Sequence, residues 1–185
     1  MSGLLQRIVV LVVCTVVAAG LAFGVIYVQG IPIRRAQEAA GRVLGDKASL
    51  CSAVVRKDIK TRTRVNFDGK IGIVDAFDGS LYEKYQDALP AERQPAKPDE
   101  VRGILCLFDK QSVFGTSKYG NPAKYFCTRF SKDLEGYLLD AETGKLITAH
   151  LFYGTDQSDC PETTDSSVTR YGDLPPPDEV AAWFG

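Results

Sequence analysis

The stretch Val101-Arg-Gly-Ile-Leu-Cys-Leu-Phe108 decides the fold of this chain. From Ile104 to Phe108 every residue is apolar, so an extended segment here would be apolar on both faces. A short run of this kind, bounded by polar sequence, is typical of a strand that is covered on both sides. We therefore predict that it is the central strand of a sheet with other elements packed on each face.

Six further segments have the composition of strands. They are rich in β-branched and aromatic residues and are bounded by turn signals. These segments are Leu50–Ile59, Arg62–Phe67, Lys70–Phe77, Lys124–Phe130, Leu134–Asp140 and Lys145–Tyr153. Together with the central segment they predict an antiparallel sheet of about six to seven strands.

Two turns are predicted to join neighbouring strands. Asp68-Gly69 is expected to form a hairpin loop, with an extra residue or a bulge that places Phe67 opposite Ile71. The clearer hairpin is at residues 141–144, where the register would place Asp140 opposite Lys145 and Leu138 opposite Ile147.

The residues Asp140-Ala-Glu-Thr-Gly-Lys-Leu146 resemble the Asp-x-x-Thr-Gly-Lys-Leu turn of quinoprotein-type β-propeller repeats. A propeller repeats its unit every 40 to 50 residues. The unit occurs once in this chain, and the tryptophan that usually follows it is missing. The resemblance therefore predicts a turn between two strands.

Short helices are expected around the sheet. Ile33–Leu44 has apolar residues at helical spacing, Leu81–Leu89 could be capped by Ser80, and Asp178–Phe184 carries acidic residues in its first turn. Trp183 and Phe184 would dock the last helix on the sheet. The acidic segment Thr155–Asp173 is predicted to be an irregular connection. A run of strands with peripheral helices indicates the α+β class.

The stretch from Ile8 to Val28 contains no charged residue. As a helix it would be about 31 Å long, which matches a hydrocarbon core of about 30 Å. The alternative is a cleaved signal peptide with a cleavage site at Val17-Ala-Ala19, but the apolar run continues well beyond Ala19. We predict a tail at 1–7, a single transmembrane helix at 8–29, a stalk at 30–46 and a water-exposed domain at 47–185.

Gly20 and Gly24 form a small-xxx-small pair inside the predicted span. Such pairs allow another helix to approach closely, although glycine is also common in membrane helices without that role. The pair favours packing against a membrane-protein partner or a second copy of the chain, besides contact with lipid.

Two signals disagree about the side of the membrane on which the domain lies. Positive charges are more numerous after the span than before it, which favours a cytoplasmic domain. However, the domain has four widely spaced cysteines, as expected for two disulfides in an oxidising compartment. We follow the cysteines and predict a cytoplasmic N-terminus and an extracytoplasmic domain. Three pairings are possible, and we favour Cys106 with Cys127 and Cys51 with Cys160.

Four basic residues share one strand parity and would line one face of a strand: Arg56, Lys60, Arg62 and Arg64. They could bind anionic lipid headgroups or an acidic partner, and the structural alternative is a solvated face or a guarded edge strand.

Motifs for catalysis are weak. His150 is the only histidine, Asp78 is explained by the turn at Asp78-Gly79, and the acidic residues Asp156, Asp159, Glu162 and Asp165 match no calcium loop. We expect no metal and no cofactor, and the net charge of -1 argues against nucleic acid.

These observations favour a non-enzymatic accessory or binding protein, such as a subunit of a larger membrane complex. The alternatives are a surface hydrolase that uses two carboxylates, and a small-ligand carrier with an apolar cavity inside the sheet.

Overall fold

The computed structural model describes residues 34–35, 37–56, 59, 64–155 and 159–184. Residues 34–35 and 37–44 are helical and are called α1. A 3₁₀ helix follows at Gly45–Ala53. The remaining helices are α2 (Glu83–Gln86), α3 (Pro177–Ala182) and 3₁₀ turns at Ala91–Arg93 and Pro98–Glu100. The strands are β1 (Lys70–Asp75), β2 (Val101–Tyr119), β3 (Tyr125–Asp140), β4 (Leu146–Phe152) and β5 (Val168–Tyr171).

The five strands form one mixed sheet, so the expectation of a purely antiparallel sheet is wrong. Their order is β1-β2-β3-β4, and β5 pairs with β3 beyond the end of β4. The β2–β3 and β3–β4 pairs are antiparallel, whereas β1 is parallel to β2 and β5 is parallel to β3. A parallel pair needs a long crossover, and residues 76–100, which include α2, supply it between β1 and β2.

Several predicted strands differ from the observed ones. Leu50–Ile59 begins inside the 3₁₀ helix, and residues 64–68 belong to no strand. The Asp68-Gly69 hairpin is therefore wrong. The Val65 N–H instead donates to the Trp183 carbonyl (3.1 Å), and Lys70 pairs with Val101. The segments predicted at Lys124–Phe130 and Leu134–Asp140 are one continuous strand, and β5 lies within the predicted irregular connection.

The hairpin between β3 and β4 is confirmed. Asp140 Oδ1 accepts hydrogen bonds from the Glu142 and Thr143 amides, and Gly144 adopts the positive φ of 67° that closes the turn. The Asp140 N–H donates to the Lys145 carbonyl (2.9 Å). The expected pairing of Leu138 is wrong, because a register shift after it places it opposite Thr148.

The central strand is covered on both faces, as predicted. Leu105 and Leu107 belong to a core with α2 and α3, which includes Tyr85, Trp183 and Phe184. Ile104 and Cys106 face the other way, into a core with Leu44, Cys51 and Tyr137. The alternation along β2 thus separates two apolar layers.

The helices only partly match the expectation. Ala40 and Leu44 of α1 are buried in the domain, so the end of the predicted stalk packs on the sheet. α2 is shorter than predicted, and Tyr82 rather than Ser80 precedes it. The docking of Trp183 and Phe184 is confirmed, since both are buried.

All four cysteines of the domain are in disulfides, but the favoured pairing is wrong. Cys51 is bonded to Cys106, and Cys127 to Cys160. Cys106 lies opposite Tyr137 on β3, ten residues from Cys127, or about 33 Å along the strand. This distance far exceeds the reach of a disulfide. Two disulfides are consistent with an oxidising, extracytoplasmic compartment.

No helix within the ranges described above is long and apolar enough to cross a membrane. The predicted span, with Gly20 and Gly24, lies outside the described residues.

Candidate binding surface on the β2–β3 arm

β2 and β3 continue together well beyond the end of β1. β1 stops at Asp75, which is level with Leu107, whereas β2 runs on to Tyr119 and returns as β3 from Tyr125. We call residues 109–133 the arm. Within the described part of the chain no strand pairs with the outer edge of the arm, and β5 lies along its inner edge.

The two faces of the arm differ in exposure. On β2, Gln111, Val113, Thr116 and Lys118 are exposed, and the residues between them are half-buried except for Phe114. A bulge between Val113 and Gly115 accommodates Phe114 and keeps this alternation on both sides of it. One face is therefore open to solvent and the other is covered.

A loop formed by residues 159–167 covers one face. The Cys127–Cys160 disulfide ties this loop to β3, and the Tyr119 hydroxyl donates to the Pro161 carbonyl (2.6 Å). Arg129 pairs with Asp159 (3.1 Å), and its guanidinium carbon lies 5.2 Å from the centre of the Phe114 ring. The loop thus neutralises and shields this face.

The open face carries a group of apolar and aromatic side chains. Val113 is opposite Phe130, and Phe130 is level with Tyr171 of β5, so these three residues point to one side. Phe126 is on the same side by its spacing from Phe130. Val113 is 63%, Tyr171 53% and Phe126 40% exposed, and the Phe130 and Tyr171 rings stack 5.5 Å apart.

The open face continues the sheet face that α2 and α3 cover. Leu105 and Leu107 share its parity and are buried by those helices. The helical cover ends near the start of the arm, where Leu134 is the last buried residue of this core on β3. Val113, Phe126 and Tyr171 of the open face therefore stay exposed in the described part of the chain.

The charge of the arm is uniform along most of its length. Between Lys110 and Lys132 the sequence has no aspartate or glutamate, and it has five cations: Lys110, Lys118, Lys124, Arg129 and Lys132. The Lys132 ammonium lies 5.3 Å from the centre of the Tyr171 ring, and the Lys124 ammonium 5.1 Å from that of Tyr125. Residues 110–132 are therefore a positive and aromatic segment, in which Lys110 pairs with Glu135 and Arg129 with Asp159.

The basic strip predicted from the sequence does not form a strand face where it is described. Arg56 and Arg64 are described, and neither is in a strand, whereas Lys60 and Arg62 lie outside the described residues. Arg56 pairs with Glu135 (2.8 Å), and its guanidinium carbon lies 5.2 Å from the centre of the Phe108 ring.

Glu135 is a charged group at the base of the arm. Its side chain is 6% exposed and forms ion pairs with Arg56 and with Lys110 (2.9 Å). Burial raises its pKa, but the hydrogen bonds from Lys110 and Arg56 outweigh burial and hold the pKa below the usual range. This arrangement fixes the arm to the segment that follows the 3₁₀ helix.

Carboxylates also gather at the end of β1. Asp75 Oδ1 accepts the Phe77 N–H (2.9 Å), and Asp78 Oδ1 accepts the Ser80 N–H (2.8 Å). Burial raises the pKa of Asp75, and the charges of Asp78 and Asp109 raise it further. Burial also raises the pKa of nearby Tyr82 to about 12. Both aspartates serve the turn, as the sequence predicted for Asp78.

The described part of the chain includes two concave sites. A cavity of about 150 Å³ at the base of the arm is lined by Asp109, Asp133, Lys110 and Lys132, with Gln111 and Leu174. It is smaller than ordinary ligand pockets, which start at about 300 Å³. A cleft of about 460 Å³ lies between the 3₁₀ helix and the turn at residues 76–79, outside the sheet.

The other candidate residues have structural contacts. His150 stacks on Trp183 (5.2 Å between ring centres) and contacts Phe152 edge-on (4.7 Å). Asp159 of the acidic segment pairs with Arg129, and Asp156 lies outside the described residues. The part of the chain that is described contains no group of three or more potential metal ligands.

Sequence reasoning missed the arm because it divided β3 into two short strands and ended β2 at Phe108. The missing signal was the absence of acidic residues between Lys110 and Lys132 together with five aromatic residues. Comparison of the chain with protein-family models, with curated proteins and with solved structures finds no match.

Proposed function

We propose that this chain is a single-pass, membrane-anchored accessory protein that binds a partner through its arm and does not catalyse a reaction. In this proposal residues 8–29 cross the bilayer, the N-terminus is cytoplasmic, and the domain is extracytoplasmic. The apolar stretch Ile8–Val28 supports the anchor, and the two disulfides support an oxidising compartment for the domain.

The observation that carries the proposal is the open face of the arm. Contiguous exposed apolar side chains with polar surroundings usually mark an interaction site. Val113 and Tyr171 flank Phe130 in such a group, and Phe126 lies further along the same face, beyond Thr128. Aromatic side chains are also the residues that contribute most to binding interfaces.

A binding role also agrees with the use of the polar side chains. Asp75, Asp78 and Glu135 are engaged by backbone amides or by cations, and His150 is packed among aromatic rings. Gly20 and Gly24 support a second contact inside the bilayer, with a membrane-protein partner or with another copy of the chain.

A photoreactive residue placed at Val113 would test the proposal in intact cells. It is expected to cross-link efficiently, because the open face is occupied when the partner is bound. The matched control is the same residue at Leu146, which is 55% exposed at the far end of the sheet. Equal cross-linking at the two positions would contradict a role for the arm.

The size of the complex provides a second test. Full-length chain extracted in mild detergent is expected to have a native mass above that of its 20.2 kDa monomer after the detergent is subtracted. A monomer under all mild conditions would remove the proposed helix-mediated partner.

The second candidate is a surface hydrolase that uses carboxylates. The raised pKa of Asp75 beside Asp78 and Asp109 is the observation that favours it, because a general acid needs such a shift. The test is D75N, which keeps an oxygen for the Phe77 amide. A folded D75N variant that loses hydrolysis of cell-wall glycan would support this candidate, and unchanged hydrolysis would remove it.

A further inference from the structure

The direction of α1 relates the arm to the membrane. Leu44, at the end of α1, packs where a side chain at Gly72 in the middle of β1 would lie. Gln37, two turns earlier, donates from Nε2 to the Asp78 carbonyl (3.0 Å), beyond the end of β1. α1 therefore runs against β1, and its N-terminus points in the direction in which β2 continues as the arm.

The reach of the two segments is similar. Tyr119 is twelve residues beyond Leu107, or about 40 Å along the strand. Nine residues separate Gln37 from Val28, which is about 13 Å for a helix and at most about 32 Å for an extended chain. Since Gln37 is already beyond the level of Leu107, a linker of nine residues is long enough, when extended, to bring the end of the apolar stretch to the level of the end of the arm.

The end of the arm has the chemistry of a membrane interface. Residues 118–126, which we call the tip, contain Lys118, Lys124 and no acidic residue, and of their three aromatic residues Phe126 lies on the open face. Aromatic rings are enriched at the headgroup level of bilayers, and lysines near the surface bind anionic lipids. The exposed Lys118 and Phe126 are opposite each other on the open face.

We infer that the tip of the arm binds the anionic headgroups of the bilayer in which the chain is anchored. The inference rests on the proposed anchor and names the ligand of the proposed binding surface. The tip and the anchor would hold the domain at two points, which fixes its orientation on the membrane. A protein on the open face is the competing occupant. It is less favoured because the tip carries two lysines and no carboxylate of its own, which suits a uniformly anionic surface better than a protein that presents both signs of charge.

The test uses the full-length chain in lipid nanodiscs that contain either anionic or zwitterionic lipid, each with brominated acyl chains as a quencher. The variant F126W places an indole at the tip, and the emission of the native Trp183 is subtracted with the unmodified chain. The control is L146W, at the β3–β4 turn. We expect a blue shift and quenching for F126W in anionic discs, a much weaker effect in zwitterionic discs, and none for L146W.

Charge variants test the electrostatic part. In K118Q/K124Q the ratio of bound to free tip is expected to fall about thirtyfold, which corresponds to about fivefold for each lysine near an anionic surface. The control K97Q/K145Q makes the same change in charge at exposed lysines near the opposite end of the sheet, and it should leave the quenching of F126W unchanged.

The outcomes separate the anchor from the tip. A chain that does not co-elute with either kind of disc overturns the anchor and this inference together. A chain that co-elutes while F126W emits as in water overturns the inference alone and leaves the open face to a protein partner. Equal quenching in the two kinds of disc overturns the role of anionic headgroups.

Discussion

Removal of the Cys51–Cys106 disulfide is expected to destabilise the chain more than removal of Cys127–Cys160. The loss of loop-closure entropy alone hardly distinguishes them. For separations of 55 and 33 residues, loop closure is expected to stabilise the chain by about 4.2 and about 3.7 kcal/mol.

The difference comes from where the sulfurs lie. Cys51 and Cys106 share a core with Leu44 and Ile104, so two alanines there would leave a cavity. Cys127 is also buried but belongs to neither core, and Cys160 is half-buried. At roughly 1 kcal/mol for each site, the expected total for C51A/C106A is about 6 kcal/mol. In C127A/C160A the loop can separate from the arm while the sheet stays folded, so the loss should not exceed about 4 kcal/mol.

The assay is urea denaturation of full-length chain in mild detergent, followed by the fluorescence of the single tryptophan, Trp183, which is buried in the core beside α3. The pairing is established first by peptide mapping without reductant. Equal losses in the two variants, or a peptide that joins Cys106 to Cys127, would refute the reasoning.

Three further predictions use the same denaturation assay. E135Q is expected to lose about 2 kcal/mol at pH 7, because a buried carboxylate with two cationic partners is removed. The folded pKa of Glu135 is lowered, so the advantage of the unmodified chain should vanish as the pH falls below 4.5, and a constant difference would refute the ion pairs. G136A should cost about 1–3 kcal/mol, since its Cβ would lie 2.7 Å from the Phe152 ring, and an unchanged midpoint would show that the ring can move. D75N should be at least as stable as the unmodified chain at pH 7, because the folded pKa of Asp75 is raised. As the pH falls towards 3.8, the free energy of unfolding of the unmodified chain should rise relative to that of D75N. A large loss in D75N at pH 7 would contradict this assignment.

Local patterns predicted those parts of the fold that depend on neighbouring residues. As a strand, Ile104–Phe108 has no polar side chain on either face, so it was predicted to be covered on both faces. The β3–β4 turn follows from Asp140, whose side chain bonds the turn amides, and from Gly144, which takes a positive φ. The docking of Trp183 follows from its size and from the short helix before it.

Other parts of the fold depend on distant residues, and there the predictions from the sequence were wrong. Residues 50–53 belong to a predicted strand but lie in a 3₁₀ helix that is tied to the central strand by a disulfide. β1 has the composition of a hairpin strand, yet its partner is β2, which begins 26 residues after the end of β1. The binding surface was missed for a similar reason, since the length of the arm depends on β2 and β3 continuing together past β1.

The sequence by itself determined the α+β class, the central strand, the β3–β4 turn and the presence of paired cysteines. These features depend on composition, periodicity and turn chemistry, which act over a few residues. It also contains the apolar stretch Ile8–Val28 on which the proposed anchor rests. Only the tertiary structure decided which cysteines meet, which strands are parallel, and which face of the arm stays open. Those outcomes depend on contacts between residues 30 to 55 positions apart, whose geometry no local pattern specifies.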